Sequence, residues 1–156
     1  MTSLALLKQL KLAELREKHP NVPEHALAVP AYSDRTANGL TKCIKDWIML
    51  HGGQAERINT TGIYRPGETV IDVIGRAREM KGKWTKGGAT SGSADISATV
   101  RGRAWKIEVK IGRDTQSDEQ KEYQADVERA GGIYSIVGSF EEFIIEWYKF
   151  NEIIKN

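Results

Sequence analysis

The residues of this chain best suited to chemistry are two acids and a lysine, Asp95, Glu108 and Lys110. They lie on two short β-prone segments that the dipeptide Arg101-Gly102 can join through a two-residue turn. With that turn, antiparallel pairing sets Asp95 directly opposite Glu108, with Cβ atoms about 5 Å apart. Carboxylates this close repel each other unless a proton or a cation lies between them. The spacing therefore predicts a cation site on one face of a β-hairpin.

Magnesium is the natural cation for this pair, because it prefers oxygen and is often held by one or two carboxylates, water and a substrate phosphate. Lys110 lies two residues beyond Glu108 and so projects from the same face of its strand. Its amine can hold or deprotonate a metal-activated water and offset charge on a phosphate. The three residues thus favour hydrolysis of a phosphodiester. The alternative is an ordinary ion pair on an exposed strand, worth under about 1 kcal/mol.

The same register divides the hairpin into an apolar face and a polar face. The face expected in the core carries Ile96, Ala98, Val100, Trp105, Ile107 and Val109. The opposite face carries Asp95, Ser97, Lys106, Glu108 and Lys110. A sheet with one buried face specifies its register strongly, since a slip of one residue would reverse both faces.

A glycine-rich basic segment precedes the hairpin, at residues 75–93, and it reads as a loop or an extended hairpin. Its cations surround Trp84 and suit phosphate contacts, although a solvated loop has the same composition: Arg76, Arg78, Lys81, Lys83 and Lys86. Residues 1–113 hold 19 Lys and Arg against 11 Asp and Glu, whereas residues 114–156 hold 4 against 10. The net charge of +2 therefore hides a basic part that should attract polyanions.

Hydrophobic periodicity and turn residues predict the elements that position these side chains. Helices are expected over 4–18, 39–50 with Asn38 as N-cap, 118–130 and 141–151, and strands over 54–60, 69–74, 95–100, 104–110 and 133–137. Ser117-x-x-Gln120 and Ser139-x-x-Glu142 have the form of capping boxes. This order predicts an α/β fold with a mixed sheet flanked by helices, preceded by an N-terminal helical arm at residues 1–36. The main domain is expected over 37–156.

Composition excludes several classes of protein. With one cysteine, Cys43, which is expected to pack in a helix, the chain cannot form a disulfide scaffold or a cysteine-based metal site. The three histidines lack the spacing of a zinc hydrolase. No apolar run has the roughly 20 residues of a membrane span, and the lysines near the start do not suit a signal peptide. A cytoplasmic protein without membrane contact is expected.

Five segments in order resemble the PD-(D/E)XK nuclease superfamily, and more narrowly its VRR-NUC and Holliday-junction-resolvase-like members of phages and mobile elements. The resemblance covers roughly residues 38–148. The segments are Trp47–Asn59, Gly92-Ser-Ala-Asp95, Ile107-Glu-Val-Lys110, Gln116-Ser-Asp-Glu-Gln120 and Ala130-Gly-Gly-Ile-Tyr134. The resemblance implies a restriction-endonuclease-like central mixed β-sheet flanked by helices, a homodimer, and a bacterial host or phage-infected cell as the setting.

The resemblance also implies roles for particular residues. Asp95 and Glu108 would bind Mg²⁺ or Mn²⁺, helped by the Val109 carbonyl, with no small-molecule cofactor. Lys110 would be the catalytic lysine, and Gln120 the helix glutamine beside the site. Gln120 could instead serve only the capping box. The implied activity is metal-dependent hydrolysis of DNA by an endonuclease. Selectivity for branched or junction DNA is compatible with this activity, and the sequence leaves branched, flapped, nicked and linear substrates open.

Two departures from the family pattern bear on that activity. Ala94 stands where the first acid is usually preceded by proline, a change that is conservative in size. Many relatives carry a glutamate early in the helix before the sheet, but here the chain reads Ala37-Asn38-Gly39-Leu40-Thr41, with no acid until Asp46. A missing ligand would weaken metal binding or leave one ion instead of two. The alternative function is therefore a non-catalytic DNA-binding module on the same fold.

Overall fold

The computed structural model describes residues 1–59, 63–71, 73–85 and 89–153. The helices of this part are α1 Ser3–Lys18, α2 Ala37–Leu50, α3 Asp118–Arg129 and α4 Phe140–Ile153, with a short 3₁₀ turn at Glu24–Ala26. The strands are β1 Gln54–Arg57, β2 Ile63–Arg65, β3 Thr69–Ile71, β4 Ala77–Glu79, β5 Lys83–Thr85, β6 Ile96–Val100, β7 Arg103–Val109 and β8 Ile133–Val137.

Four of these strands form a central mixed sheet in the order β1-β6-β7-β8. The pairs β1–β6 and β6–β7 are antiparallel, whereas β8 lies parallel to β7. A parallel neighbour requires a crossover connection, and α3 provides it. The predicted α/β class with a mixed sheet and helices is confirmed.

The central β6–β7 hairpin has the predicted register. Ile96 pairs with Ile107 and Ala98 with Trp105. Arg101 and Gly102 have φ angles of 49° and 79°, as a two-residue turn that follows the strand twist requires. All six side chains predicted for the apolar face are buried, which confirms that assignment.

The main core lies between the apolar face of the sheet and three helices. The α2 stripe Leu40, Ile44, Trp47 and Ile48 is buried, as its spacing predicts. From α4, the ring of Phe150 stacks on Trp105 with centroids 4.4 Å apart. Such a pair contributes about 0.5–1.5 kcal/mol beyond the area it buries.

The N-terminal helix shares this core. Leu7 of α1 has no exposed surface. The Ser3 hydroxyl donates to the Glu141 carboxylate on α4, and the Phe140 amide that opens α4 donates to Asp34 Oδ2. Residues 1–36 are therefore joined to the rest of the described chain by packing as well as by hydrogen bonds. No helix in residues 1–59, 63–71, 73–85 or 89–153 has the length and apolar character needed to cross a membrane.

Three predicted details of the elements were wrong or incomplete. α2 starts at Ala37 with Thr36 as its N-cap, because the Thr36 hydroxyl accepts from the Gly39 amide; Asn38 lies inside the helix. β1 ends at Arg57, earlier than the predicted residue 60, which itself lies outside the described residues. Ser139 caps α4, but the Glu142 carboxylate accepts from the Gly138 amide, so only half of that capping box forms.

A second, smaller β-structure projects from the chain between β1 and β6. We call residues 63–85 the hairpin extension: β2 pairs with β5, β3 pairs with β4, and the Met80 amide donates to the Glu68 carbonyl between the two ladders. Gly82 aside, every residue from Tyr64 to Thr85 whose burial is described is exposed. The strand predicted at 69–74 therefore exists as the shorter β3, but outside the central sheet.

Candidate functional site

The two predicted acids meet where the β6–β7 hairpin opens. Ile96 pairs with Ile107, so the next residues outward are Asp95 and Glu108. The Val109 amide donates to Asp95 Oδ2 at 2.9 Å, which holds the aspartate across the mouth of the hairpin. The Val109 side chain itself is buried in the core. Strand alternation thus keeps both acids on the face away from α2 and α4.

Glu108 is almost fully buried, with 2% of its surface exposed. Its Oε1 accepts a hydrogen bond from Gln120 Nε2 and lies 3.1 Å from Lys110 Nζ. Its Oε2 is also buried and makes no hydrogen bond of normal geometry among the described residues, with the Asp95 backbone amide close by. A buried carboxylate oxygen without a well-formed hydrogen bond is costly. That oxygen marks the position where a cation would be most favourable.

Burial raises the pKa of Glu108 above its usual value, and the negative charge of Asp95 raises it further. The hydrogen bond and positive charge of Lys110 act in the opposite direction but do not cancel the rise. Both causes of the rise disfavour the ionised carboxylate. Additional positive charge near Glu108 would favour its carboxylate form, as the ammonium of Lys110 already does.

Lys110 lies between two acids at the edge of this site. Its Nζ is 3.1 Å from Glu108 Oε1 and 3.3 Å from Asp114 Oδ2, and 13% of its side chain is exposed. Burial lowers the pKa of Lys110, but hydrogen bonds and charges from Glu108 and Asp114 outweigh burial and raise it overall. The side chain is an ammonium with limited contact with solvent.

Gln120 forms the predicted capping box and also lies beside Glu108. Its Oε1 accepts from the Ser117 amide at 3.0 Å, and the Ser117 hydroxyl accepts from the Gln120 amide, which completes the predicted capping box. Its Nε2 donates to Glu108. Because one side chain has both a donor and an acceptor, the start of α3 and the buried acid are linked directly.

The loop before Asp95 packs closely against the first turn of α3. Gly92 has a φ of +76°, and a Cβ there would lie 2.3 Å from the Glu119 carbonyl oxygen. Both the left-handed backbone and this close approach require glycine. The loop is thereby fixed between the hairpin and the helix that carries Gln120.

Tyr134 is a residue of this site that the sequence analysis did not assign. It lies on β8 opposite Lys106, on the same sheet face as Glu108. Its buried hydroxyl makes no hydrogen bond of normal geometry among the described residues, with Gln116 close by. Burial and then the charge of Glu108 raise the pKa of Tyr134 to about 12. Only the parallel β7–β8 register reveals this placement.

The donor set fits a magnesium-type ion. Asp95 and Glu108 offer carboxylate oxygens, and the part of the chain that the structure describes has no cluster of three or more His, Cys, Asp or Glu. Zinc sites use nitrogen and sulfur ligands, and calcium takes six to eight oxygens. Magnesium is commonly held by one or two carboxylates and completes its shell with water and substrate phosphate.

The predicted phosphate-binding cations lie elsewhere, on the hairpin extension. Arg76, Arg78, Lys81 and Lys83 are all exposed, with Arg78 on β4 and Lys83 on β5. Lys86 lies outside the described residues. The acids and the described cations therefore occupy separate parts of the molecule. The acids lie in the central sheet, and the cations lie on the hairpin extension.

Comparison with known proteins adds no further constraint on this site. No protein-family model matches the chain, and no curated protein matches it. The chemistry available to the site follows from Asp95, Glu108, Lys110 and their neighbours.

Proposed function

We propose that this protein is a metal-dependent DNA endonuclease that hydrolyses phosphodiester bonds. The observation that carries the proposal is the buried carboxylate of Glu108 beside Asp95, with an Oε2 that makes no hydrogen bond of normal geometry among the described residues and Lys110 Nζ at 3.1 Å from the other oxygen. Two neighbouring acids that can hold a cation, next to a lysine that can face a phosphate, suit phosphoryl chemistry.

The architecture supports a restriction-endonuclease-like fold, as the resemblance to PD-(D/E)XK nucleases implies. The mixed sheet has α2 and α4 on one face and the first turn of α3 on the other, reached through Gln120. Asp95 and the Glu108-Val-Lys110 run meet at one end of that sheet. The proposed fold and the proposed activity rest on the same hairpin.

The chain's own residues have distinct tasks in the proposed reaction. Asp95 and Glu108 would hold Mg²⁺ or Mn²⁺, with the Val109 carbonyl as a further proposed ligand. When bound, the ion supplies Lewis-acid polarisation and lowers the pKa of a water. Lys110 offsets charge that develops on the phosphate. Gln120 fixes the orientation of Glu108 through its hydrogen bond, as partners of metal ligands commonly do.

In this proposal, the hairpin extension binds DNA. Its described cations can neutralise backbone phosphates and release counterions. Tyr64 and Trp84 form an exposed aromatic pair with centroids 5.5 Å apart among these cations. Aromatic rings among basic residues suit nucleic acid better than an acidic protein surface, because they can stack on unpaired bases.

The direct test is incubation of plasmid and oligonucleotide DNA with Mg²⁺ or Mn²⁺. We expect cleavage by the wild type and a loss of at least about 100-fold in Asp95→Asn and in Lys110→Ala, the scale of removing one transition-state contact. Lys8→Gln, which changes an exposed cation of α1, is the matched control and should retain activity. Unchanged cleavage in both site variants would overturn the proposed site.

Substrate structure and assembly are tested together. We propose selectivity for branched or junction DNA and a homodimer, since two copies could act on the two strands of a four-way junction. The measurement is a panel of junction, flap, nicked and linear duplexes, with the oligomeric state determined in the same buffer. A monomer that prefers flaps, nicks or ends would contradict this part of the proposal.

One observation favours the alternative of a DNA-binding module without catalysis. The first turn of α2 carries no carboxylate, so the described residues offer a cation the pair Asp95 and Glu108 without a third acid clustered beside them. This alternative predicts salt-sensitive DNA binding without metal uptake. Isothermal titration with Mn²⁺ separates the two: uptake that Asp95→Asn abolishes supports the enzyme, and its absence in the wild type supports the binding module.

A further inference from the structure

A polar pocket of about 240 Å³ lies between α2 and the edge strand β1. Its lining combines cations, one acid and two neutral polar side chains: Asn38, Thr41, Lys42, Lys45, Asp46 and Arg57. None of these residues belongs to the acid site or to the hairpin extension.

The positive charge of this pocket is only partly balanced. Asp46 Oδ2 accepts from the Tyr32 hydroxyl at 2.7 Å and from Lys42 Nζ at 3.2 Å, so the single acid is already engaged. Within the described residues, the side chains of Lys45 and Arg57 have no hydrogen-bond or ion-pair partner. Two unpaired cations around one cavity favour an anion as its occupant.

A hydroxyl on the pocket wall gives a second indication. Thr41 is only 4% exposed and lies on the pocket wall. Its hydroxyl makes no hydrogen bond to any residue in the described ranges and is not closed off from solvent, so it can donate to an occupant of the pocket. An anion with several acceptor oxygens would satisfy this donor and the two cations together.

The pocket is close to the acid site along the sheet. Arg57 pairs with Ile96, the residue after Asp95, and the Ile58 amide donates to the Asp95 carbonyl at 2.8 Å. Neighbouring strands lie about 4.8 Å apart. The anion pocket is thus one strand away from the backbone of Asp95, but on the α2-facing side of the sheet, so a ligand that reaches both must pass around the edge strand β1.

We propose that this pocket binds a phosphate group of the nucleic-acid strand where the strand passes the edge strand β1, at a distance from the bond that reaches Asp95 and Glu108. This inference rests on the proposed nuclease function for its substrate, whereas the phosphate chemistry rests on the pocket alone. Arg57 can present a planar fork to phosphate oxygens, Lys45 adds a point charge, and the Thr41 hydroxyl donates from the pocket wall.

The first measurement titrates inorganic phosphate into the full chain and follows amide shifts by NMR. We expect Arg57→Gln and Thr41→Val to weaken binding by at least about fivefold, since each removes one of a few donors. Thr41→Ser should retain binding because it keeps the hydroxyl. Arg103→Gln, which changes an exposed strand arginine at the other end of the sheet, is the matched control. Thermal melting checks that every variant is folded.

The second measurement compares DNA binding without divalent metal, so that activity plays no part. If the pocket takes a terminal phosphate, 5′-phosphorylated oligonucleotides bind more tightly than 5′-hydroxyl ones, and Arg57→Gln removes the difference. If it takes an internal phosphate, Arg57→Gln weakens binding of closed circular DNA as well. Either result supports the pocket. Phosphate and DNA binding equal in Arg57→Gln and Arg103→Gln would overturn it.

The same variants separate this inference from the proposed function. Phosphate binding that depends on Arg57 and Thr41 in a protein that cleaves no DNA would overturn the nuclease and support the pocket. DNA cleavage that depends on Asp95, with no effect of Arg57→Gln on phosphate or DNA binding, would overturn the pocket alone.

Discussion

The acid site and the hairpin extension hold their side chains in opposite ways. Glu108 is 2% exposed and is contacted by Lys110, directly after β7, and by Gln120 of α3, whereas Val73 on the extension is fully exposed. Half of the large apolar side chains exposed in the described chain lie on the extension. Chemistry on a phosphate requires fixed geometry, whereas contact with a long polymer requires accessible charge and adaptable surface. In the proposed function, the two tasks therefore fall to different β-structures.

The largest expected effect comes from neutralising the buried acid. Glu108→Gln keeps the size of the side chain but removes the charge that holds a cation, so we expect Mn²⁺ uptake to be lost and cleavage to fall at least about 100-fold. DNA affinity without metal should stay within about twofold. Titration calorimetry and filter binding measure these quantities. Glu56→Gln, at an exposed acid of β1, is the control, and equal Mn²⁺ uptake in both variants would contradict the assignment.

The second prediction concerns DNA binding by the hairpin extension, with the acid site left unchanged. Replacing Arg78 and Lys83 with glutamine should weaken DNA binding and lower the slope of log affinity against log salt by about 0.9 for each phosphate that is no longer neutralised. The cleavage rate at saturating DNA should be unchanged. Salt titrations of binding give the slope. A double variant in which Lys8 and Arg103 are replaced with glutamine controls for the change in total charge. A lower cleavage rate at saturating DNA in the Arg78 and Lys83 variant would contradict the proposal that the extension only binds DNA.

A smaller effect separates the two functions of Gln120. Gln120→Ala removes the hydrogen bond to Glu108 and part of the capping box, so we expect about 10–100-fold less cleavage and a modest loss of stability. Ser117→Ala removes a cap but leaves the hydrogen bond to Glu108, which predicts a cost of about 1 kcal/mol with near-normal activity. Urea unfolding and single-turnover cleavage distinguish them. Equal activity losses in both variants would show that only the helix start matters.

The smallest expected effect is that the buried thiol of Cys43 does not react with an alkylating reagent in the folded protein. Burial raises the pKa of Cys43 to about 11, so at pH 8 the thiol is neutral, and only the thiolate reacts with iodoacetamide. Labelling should remain slow until the protein unfolds. A second thiol introduced by Val73→Cys should react readily, because that position is fully exposed. Mass spectrometry of tryptic peptides follows both sites, and fast labelling of Cys43 in the folded protein would contradict the packing.

Local patterns predicted the hairpin and the helix faces well. Alternation and the Arg101-Gly102 turn together defined the β6–β7 register, because both signals lie within a few residues of the pairs they specify. The apolar stripe of α2 was equally local. The first residue of α2 was predicted wrongly because Thr36 and Asn38 can both cap a helix. Only the backbone conformation at Thr36 decides between them.

The remaining features depend on contacts between distant parts of the chain. Tyr134 joins the acid site through parallel pairing of β8 with β7, which no short segment encodes. The β-prone run at 69–74 predicted a strand, but strand propensity does not indicate which sheet a strand enters. The pocket around Thr41 is formed by α2 together with the edge strand β1. The sequence alone therefore does not indicate that its unpaired cations lie together.

The shared hydrogen bonds of Gln120 have a consequence for motion. Helix ends fray before helix centres, and opening the first turn of α3 would withdraw the amide that holds Glu108. Fraying of the helix and release of the acid are then one event. A cation that secures Glu108 would slow deuterium uptake at the amides of residues 118–121, so the beginning of a surface helix would report on an ion bound inside the sheet.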